Sequence, residues 1–439
     1  MEENKIGYRD VLKQKEYMKN VIAAAINRFG DSIDSIAFAW LVYQITQSAA
    51  WSAIIFGVNR VPTIFLQPFA GAIVESKNKK KIMIVTDVIR GICVGIVATA
   101  FLAEVLNPWI ILACTIVISC AEAFRNPASS TLLPKLLDKK LYSYGISLNT
   151  SICSAMELIG LGLSGVIISI FSLSTAIYID MITFFLSALI IITLRIKDEQ
   201  LTKVKISAKE YIDNLKDGVH YLKGKAFLRY MISIAIFLNA ILVPMNSLQA
   251  PLVSEVLHSN EVMLSVMSLG ITLGMIIGAV LYPYISTLIS RRAILCICGY
   301  AIAGYYLSLV ATGRFIPQTS LKYILVAVSS LLFGTAIAIA NTFAGVEFMK
   351  AIEESYIARV TSIMNASVVA AMPIVAFIIS ALTGFVSTGQ IIISFGILGI
   401  IICMVIFGRD RFAAMEKKRI EVEENEEKIT DSEASKSCR

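Results

Sequence analysis

Residues 71–81 read Gly71-Ala72-Ile73-Val74-Glu75-Ser76-Lys77-Asn78-Lys79-Lys80-Lys81. The stretch holds four lysines and a glutamate, and it is flanked by two predominantly apolar blocks, 49–74 and 82–104. A run of about 20 apolar residues, wound as a helix, crosses the hydrocarbon core of a bilayer. Inside lipid each backbone N–H and C=O must be bonded within its own segment, so such runs are helices. The basic stretch is therefore a turn at a membrane surface between two spanning helices.

The same alternation repeats along the chain. Spans are expected at 20–46, 49–74, 82–104, 108–131, 145–171, 174–196, 229–253, 261–287, 293–313, 322–345, 359–385 and 388–408. Composition agrees: 56% of the residues are hydrophobic and 16% charged, against roughly 45–50% and about 25% in soluble domains. Mean hydropathy is +0.74. Lys and Arg gather on the cytoplasmic side of membrane proteins. Here they collect before the first span (Lys5, Arg9, Lys13, Lys15, Lys19) and in alternate turns thereafter (Lys135, Lys139, Lys140; Arg291, Arg292; Lys350). Only Arg314 and Lys322 stand on the opposite side. Both termini are expected in the cytoplasm, which requires an even number of spans. The net charge of +7 is this bias and implies no nucleic-acid partner. The first span is longer than a signal peptide's apolar core, and its flank mixes both charge signs, which argues against a cleaved leader.

The organisation expected is an N-terminal six-helix bundle (1–196), a cytoplasmic linker (197–228), a second six-helix bundle (229–408) and a disordered charged tail (409–439). In the linker Ile212, Leu215, Val219 and Leu222 recur at helical spacing, as in an amphipathic helix lying on a membrane surface. The halves echo each other: Gly71-Ala72-Ile73-Val74 against Gly278-Ala279-Val280-Leu281, and Asn126 nine residues before Lys135 as Asn341 is before Lys350. Parallel repeats with a substrate site between the halves are a transporter architecture.

The stretch 71–80 resembles the G-x-x-x-D-[RK]-x-G-[RK]-[RK] signature of the major facilitator superfamily, with Glu75 for Asp, Ser76 for the basic residue and Asn78 for Gly. Asn tolerates left-handed backbone, so Asn78 is expected to stand in for that glycine. Other segments look like the macrolide and siderophore efflux-like branch: Gly30-Asp31-Ser32, Asp87 through Arg90, Arg125-Asn126-Pro127-Ala128, Asn149, Asp217-Gly218 with Tyr221-Leu222, and Arg359-Val360. The resemblance covers about 1–408. It implies an all-α membrane protein with twelve transmembrane helices, helices one, four, seven and ten around a central cavity, and action as a monomer. It also implies that Glu75, Lys79, Asp87, Arg90 and Arg125, with Arg359 opening span eleven, form a gate at the inner surface. In span five, Gly160-Leu161-Gly162-Leu163-Ser164-Gly165 keeps the glycines of the superfamily's antiporter motif but lacks its proline.

A charge at mid-bilayer costs about 2.5–3.5 kcal/mol by insertion scales, so it faces protein or water. Span one carries Arg28, Asp31 and Asp34 at successive i,i+3 steps, on one flank of the helix. Asp31 lies about 17 Å into the span at 1.5 Å per residue. Two carboxylates so close repel when both are ionised, and a shared proton relieves the repulsion. That suits proton coupling; the alternative is an Arg28–Asp31 pair that only fixes packing, or Arg28 meeting an anionic substrate. Glu122, three residues before Arg125, faces either Arg28, a proton or a cationic substrate. Glu157 and Arg60 are further candidates, and Asp180 is read as solvated near the outer surface. Asn239, Asn246 and Gln249 in span seven and Asn341 in span ten are either polar contacts in the cavity or interhelical hydrogen bonds. Phe38, Phe237 and Met245 are candidates for its apolar wall. Gly270, Gly274 and Gly278 form a close-packing seam.

The chain has no Walker A loop, no G-x-S-x-G and no H-E-x-x-H, and its two histidines, His220 and His258, fall on opposite sides of the membrane. Neither an enzyme nor a metal or cofactor site is expected. The function expected is secondary active export of a small amphipathic or hydrophobic compound by alternating access, with protons as coupling ion and Asp31, with Asp34 or Glu122, as acceptor. The alternatives are a lysophospholipid flippase or metabolite importer of the same fold, and a non-transporting receptor or scaffold.

Overall fold

A computed structural model describes residues 8–75, 77–196, 220–223, 225–350, 352 and 357–406. The tail after 406 and most of the linker, including Ile212, Leu215, Asp217, Gly218 and Val219, lie outside the described residues. Twelve long helices follow the apolar runs: α1 (Lys15–Thr46), α2 (Ala49–Glu75), α3 (Lys79–Leu102), α4 (Pro108–Leu136), α5 (Tyr142–Ile170), α6 (Leu173–Ile192), α7 (Ala226–Ser247), α8 (Glu261–Leu288), α9 (Arg291–Phe315), α10 (Thr319–Lys350), α11 (Ile357–Leu382) and α12 (Thr388–Ile406). Eleven are long and apolar enough to cross a membrane. The twelfth, α1, has 32 residues; Arg28, Asp31 and Asp34 make it less apolar, not shorter. The span expected at 229–253 is broken at Leu248. The chain continues as a short turn, Gln249–Pro251, and a π-helical turn, Leu252–Val256.

Within the first six helices α1 packs on α5 and α6, α3 on α4 and α6, and α2 on α4. Within the second six the pairs are α8–α10, α9–α10, α9–α12 and α7–α11. The seam read at Gly270, Gly274 and Gly278 is the α8–α10 contact: a Cβ at Gly274 would overlap the Leu331 carbonyl, and Gly334 answers from α10 against Ile271. Small residues let the two backbones touch.

Asn78 corrects one expectation. Its φ is −71°, extended and not left-handed, and its side chain accepts from the Lys81 backbone N–H at 2.9 Å. It starts α3 as an N-cap, satisfying an amide that the helix itself leaves open. Next to it Lys80 donates to the carbonyls of Ile192 (2.7 Å) and Leu194 (2.8 Å), and Lys19 to that of Thr193 (3.1 Å). These cations close the C-terminal end of α6, where carbonyls lack intrahelical partners.

The two groups of six meet through α2–α11 and α5–α8. At the face away from Lys15, Tyr43 at the end of α1 donates to Glu255 at 2.8 Å, and Ser164 and Ser265 share a 2.9 Å hydrogen bond. Gly57 sits against Ala376 and Phe377, and Gly165 against Val262 and Ser265. These contacts draw the halves together at that far face.

Candidate functional site

A cavity of about 490 Å³ opens between the two groups of helices. Its walls are stripes at helical spacing. From α1 come Arg28, Asp31, Asp34, Ser35, Phe38, Ala39 and Val42; from α2, Ser52, Ile55, Phe56, Asn59 and Arg60; from α4, Thr115, Ile118 and Glu122. Arg90 of α3 and Ser268 of α8 complete it with Asn246, Ser247, Gln249 and Ala250 around the break after α7. Among the described residues the helices lining this cavity are thus one, two, three, four, seven and eight, and none of its lining comes from α10. Asn341 is exposed on α10 outside this wall, and Asn239 spends its amide on the Ala235 carbonyl at 2.9 Å. Phe38 lines the cavity as expected, whereas Met245 is buried in the core.

The charges pair between helices and not along α1. Arg90 binds Asp31 at 2.8 Å and lies over the Phe184 ring, 4.1 Å from its centroid. Arg28 faces Glu157 of α5 at 3.3 Å. The i,i+3 Arg28–Asp31 pair is therefore replaced by partners from α5 and α3. Gly160 explains how α5 comes so near: a Cβ there would meet Ser32 and the Phe29 carbonyl. Asp34 is different. Its Oδ1 is buried with no hydrogen-bond partner, and no ion pair reaches it among the described residues.

A second cluster is fully enclosed. Asp87, 0% exposed, accepts from Arg125 through both carboxylate oxygens, from Ser187 at 2.8 Å and from Asn27 at 3.4 and 3.5 Å. One carboxylate thereby ties α1, α3, α4 and α6. The expected grouping of Asp87, Arg90 and Arg125 is thus divided: Arg90 belongs to the cavity layer, and the other two to this knot. Lys79 is buried at the start of α3, and the side chains of Glu75 and Arg359 lie outside the described residues.

Asp180 corrects a further expectation. It is 1% exposed, not solvated. Its carboxylate accepts from Thr183 at 3.3 Å and presses on Gly30, where any Cβ would collide with both side chains. Its depth in the sequence hid this; the signal was Gly30 on the facing helix. Arg90 lies in electrostatic reach of Asp31, Glu122, Asp180 and Asp87.

Twelve long helices, in two groups of six with a charged and partly apolar cavity between them, define a membrane transporter of small molecules. The chain belongs to the Major Facilitator Superfamily, whose sequence profile matches residues 21–368. It is 24% identical to the multidrug efflux pump Tap of Mycobacterium tuberculosis, over 70% of this chain and 73% of that protein. It is 21% identical to macrolide efflux protein A of Streptococcus pyogenes, over 82% and 86%. An uncharacterised transporter of this type in Bacillus subtilis, YkuC, is 25% identical over 64% of the chain and 66% of its own length. Among solved structures, a mutant of nucleoside transporter NupG superposes with a TM-score of 0.73 at 12% identity, covering 89% of this chain and 100% of that one. A bacterial homologue of the iron transporter ferroportin gives 0.65 at 14%, covering 90% and 99%. Identities this low carry the fold and no substrate.

Proposed function

We propose that the protein exports a small amphipathic or hydrophobic compound by proton antiport, as a monomer with both termini in the cytoplasm. The observation that carries this reading is Asp34. It is a carboxylate in the cavity wall with a buried, unpartnered oxygen. A buried polar atom without a partner is costly, and a proton taken up there removes the charge that makes it so. Asp31, one turn away, is held by Arg90, so it serves as the fixed anion beside the titrating one. The apolar stripe of Phe38, Val42, Ile55, Phe56 and Ile118 supplies a surface for the greasy part of a cargo. The charge bias of the turns supports an orientation in which the far face, closed by Tyr43–Glu255 and Ser164–Ser265, is the outer one. The state at hand is then the one that loads cargo from within, and rocking of the halves exchanges it for a proton. The gate residues proposed for this cycle are Asp87 and Arg125 of the knot, Lys79 at the start of α3, and Glu75 and Arg359. Efflux relatives named for multidrug and macrolide export support the direction.

The test is dye and macrolide accumulation in everted membrane vesicles, with and without a proton gradient, for wild type, Asp34→Asn and Asp31→Asn. Gradient-driven accumulation should vanish in Asp34→Asn, while counterflow exchange without a gradient survives. Accumulation in Asp34→Asn at the wild-type level would remove the antiport mechanism.

A further inference from the structure

Among the described residues one cation of the cavity wall stands outside any ion pair, as do the carboxylates of Asp34 and Glu122 in the same wall. Of its three arginines, Arg90 is neutralised by Asp31 and Arg28 by Glu157. Arg60 has no acidic partner among the described residues; its guanidinium stands 5.6 Å from the Phe56 ring centroid, exposed in the cavity wall. It lies 11 residues into α2, about 17 Å from the start of the helix at 1.5 Å per residue, in the depth range of a bilayer's middle. A carboxylate at such a depth sheds its charge by taking a proton. A guanidinium does not, because it stays protonated at every accessible pH. A permanent charge at mid-membrane therefore has water or an anion as its complement, and the planar fork of Arg fits a carboxylate or another oxyanion two-pronged.

The surroundings define the rest of the ligand. Arg60 closes a stripe of Ser52, Ile55, Phe56 and Asn59, and Asn59 is fixed by its 3.0 Å bond to Ser119. Phe38 and Ile118 line the same cavity, whose volume falls within the roughly 300–1,000 Å³ of small-molecule sites. We infer that Arg60 is the anchor for an acidic head group, and that amphiphiles carrying an oxyanion on an aromatic or aliphatic body are among the substrates. The inference rests on the transport reading only in taking this cavity as the cargo site.

The measurement is equilibrium binding of dansylaminoundecanoate, and of its uncharged primary amide, to the full-length protein in nanodiscs of zwitterionic lipid. The two probes share a body and differ in charge. Wild type should prefer the acid. Arg60→Gln should lose that preference, with acid affinity falling about ten-fold or more, the usual scale for a charge-assisted hydrogen bond, and amide affinity unchanged. Arg60→Lys should keep part of the preference. A wild type that does not distinguish acid from amide, or an Arg60→Gln protein that still does, overturns the inference. If Arg60→Gln loses both probes, Arg60→Lys decides: restored acid binding supports the anchor, and unrestored binding overturns it. Binding needs no gradient, so the failure of antiport in vesicles leaves this result untouched, and the reverse also holds.

Discussion

Arg90 reaches from α3 to Asp31 on α1 across 2.8 Å, with only 8% of the arginine side chain exposed against 34% of the aspartate. The pair is buried at one end and wet at the other. Removing the carboxylate takes away the guanidinium's ion-pair partner and leaves it over the Phe184 ring, with Glu122, Asp180 and Asp87 only in longer electrostatic reach. Such a loss costs about 3–5 kcal/mol when both groups are buried and under about 1 when both are exposed. Asp31→Asn should therefore destabilise by about 1–3 kcal/mol in thermal unfolding, and Asp31→Asn with Arg90→Gln should recover part of it. A double variant no more stable than the single one would show that the pair does not act as a unit.

The Asp87 knot should be the more expensive one to cut. Asp87→Asn removes the negative charge that Arg125 needs, and both groups are buried. The expected loss is about 3–5 kcal/mol. Ser187→Ala removes a single neutral donor to the same carboxylate and should cost less, about 1.5–3 kcal/mol. Unfolding midpoints of the two variants in one detergent give the order. Equal losses would mean that the knot is held by packing and not by the Arg125 charge.

The helices were legible because an apolar run of fixed length has one structural outcome in lipid. Of the cavity wall, Arg28, Asp31, Asp34, Arg60 and Glu122 were singled out by charge alone, whereas the stripe Ser52, Ile55, Phe56 and Asn59, which stands with Arg60 at i, i+3, i+4, i+7 and i+8, was not read because nothing in its residue types sets it apart from a packing face. The pairings were not legible. A helix turns about 100° per residue, so a few residues' error in where a span begins rotates Asp31 from one neighbour to another. Which neighbour it meets is set by how closely the backbones approach. Gly30 lets Asp180 in, Gly160 brings Glu157 to Arg28, and neither glycine names its partner in the sequence. Asn78 was misread for a related reason. A capping asparagine and a left-handed one look alike until the backbone angle is known.

Glycines test that account. Gly30→Ala would drive a methyl group into the Thr183 hydroxyl and the Asp180 carboxylate, side chains held by a buried helix–helix contact. Gly160→Ala would meet the Phe29 carbonyl, which is backbone and yields less. Overpacking of this kind costs typically about 1–3 kcal/mol. Gly304 and Gly345 have open space where a Cβ would go, and alanine is the better helix former by about 1 kcal/mol. Gly304→Ala and Gly345→Ala should leave the unfolding midpoint unchanged or raise it, while the first pair lowers it. A uniform effect of all four would make helix propensity, and not interhelical contact, the controlling term.

The far-face hydrogen bond from Tyr43 to Glu255, at 2.8 Å, joins the end of α1 to the π-turn after α7, one element from each half. It exists only while the halves are together there, so in the proposed alternating-access cycle it weighs on one side of the equilibrium. A hydrogen bond to a charged acceptor contributes about 1.5–3 kcal/mol, and a differential contact shifts a two-state population by its full value. Tyr43→Phe keeps the ring and removes the donor. It should raise the population open at the far face by about ten-fold or more. Spin labels placed at Gln47 and His258 report the separation of the halves by pulsed dipolar spectroscopy. The long-distance fraction should grow in Tyr43→Phe, and Glu255→Gln should give a smaller growth, because a neutral acceptor remains. Distance distributions unchanged in both variants would mean that the α5–α8 contact at Ser164 and Ser265 holds the face shut without this bond.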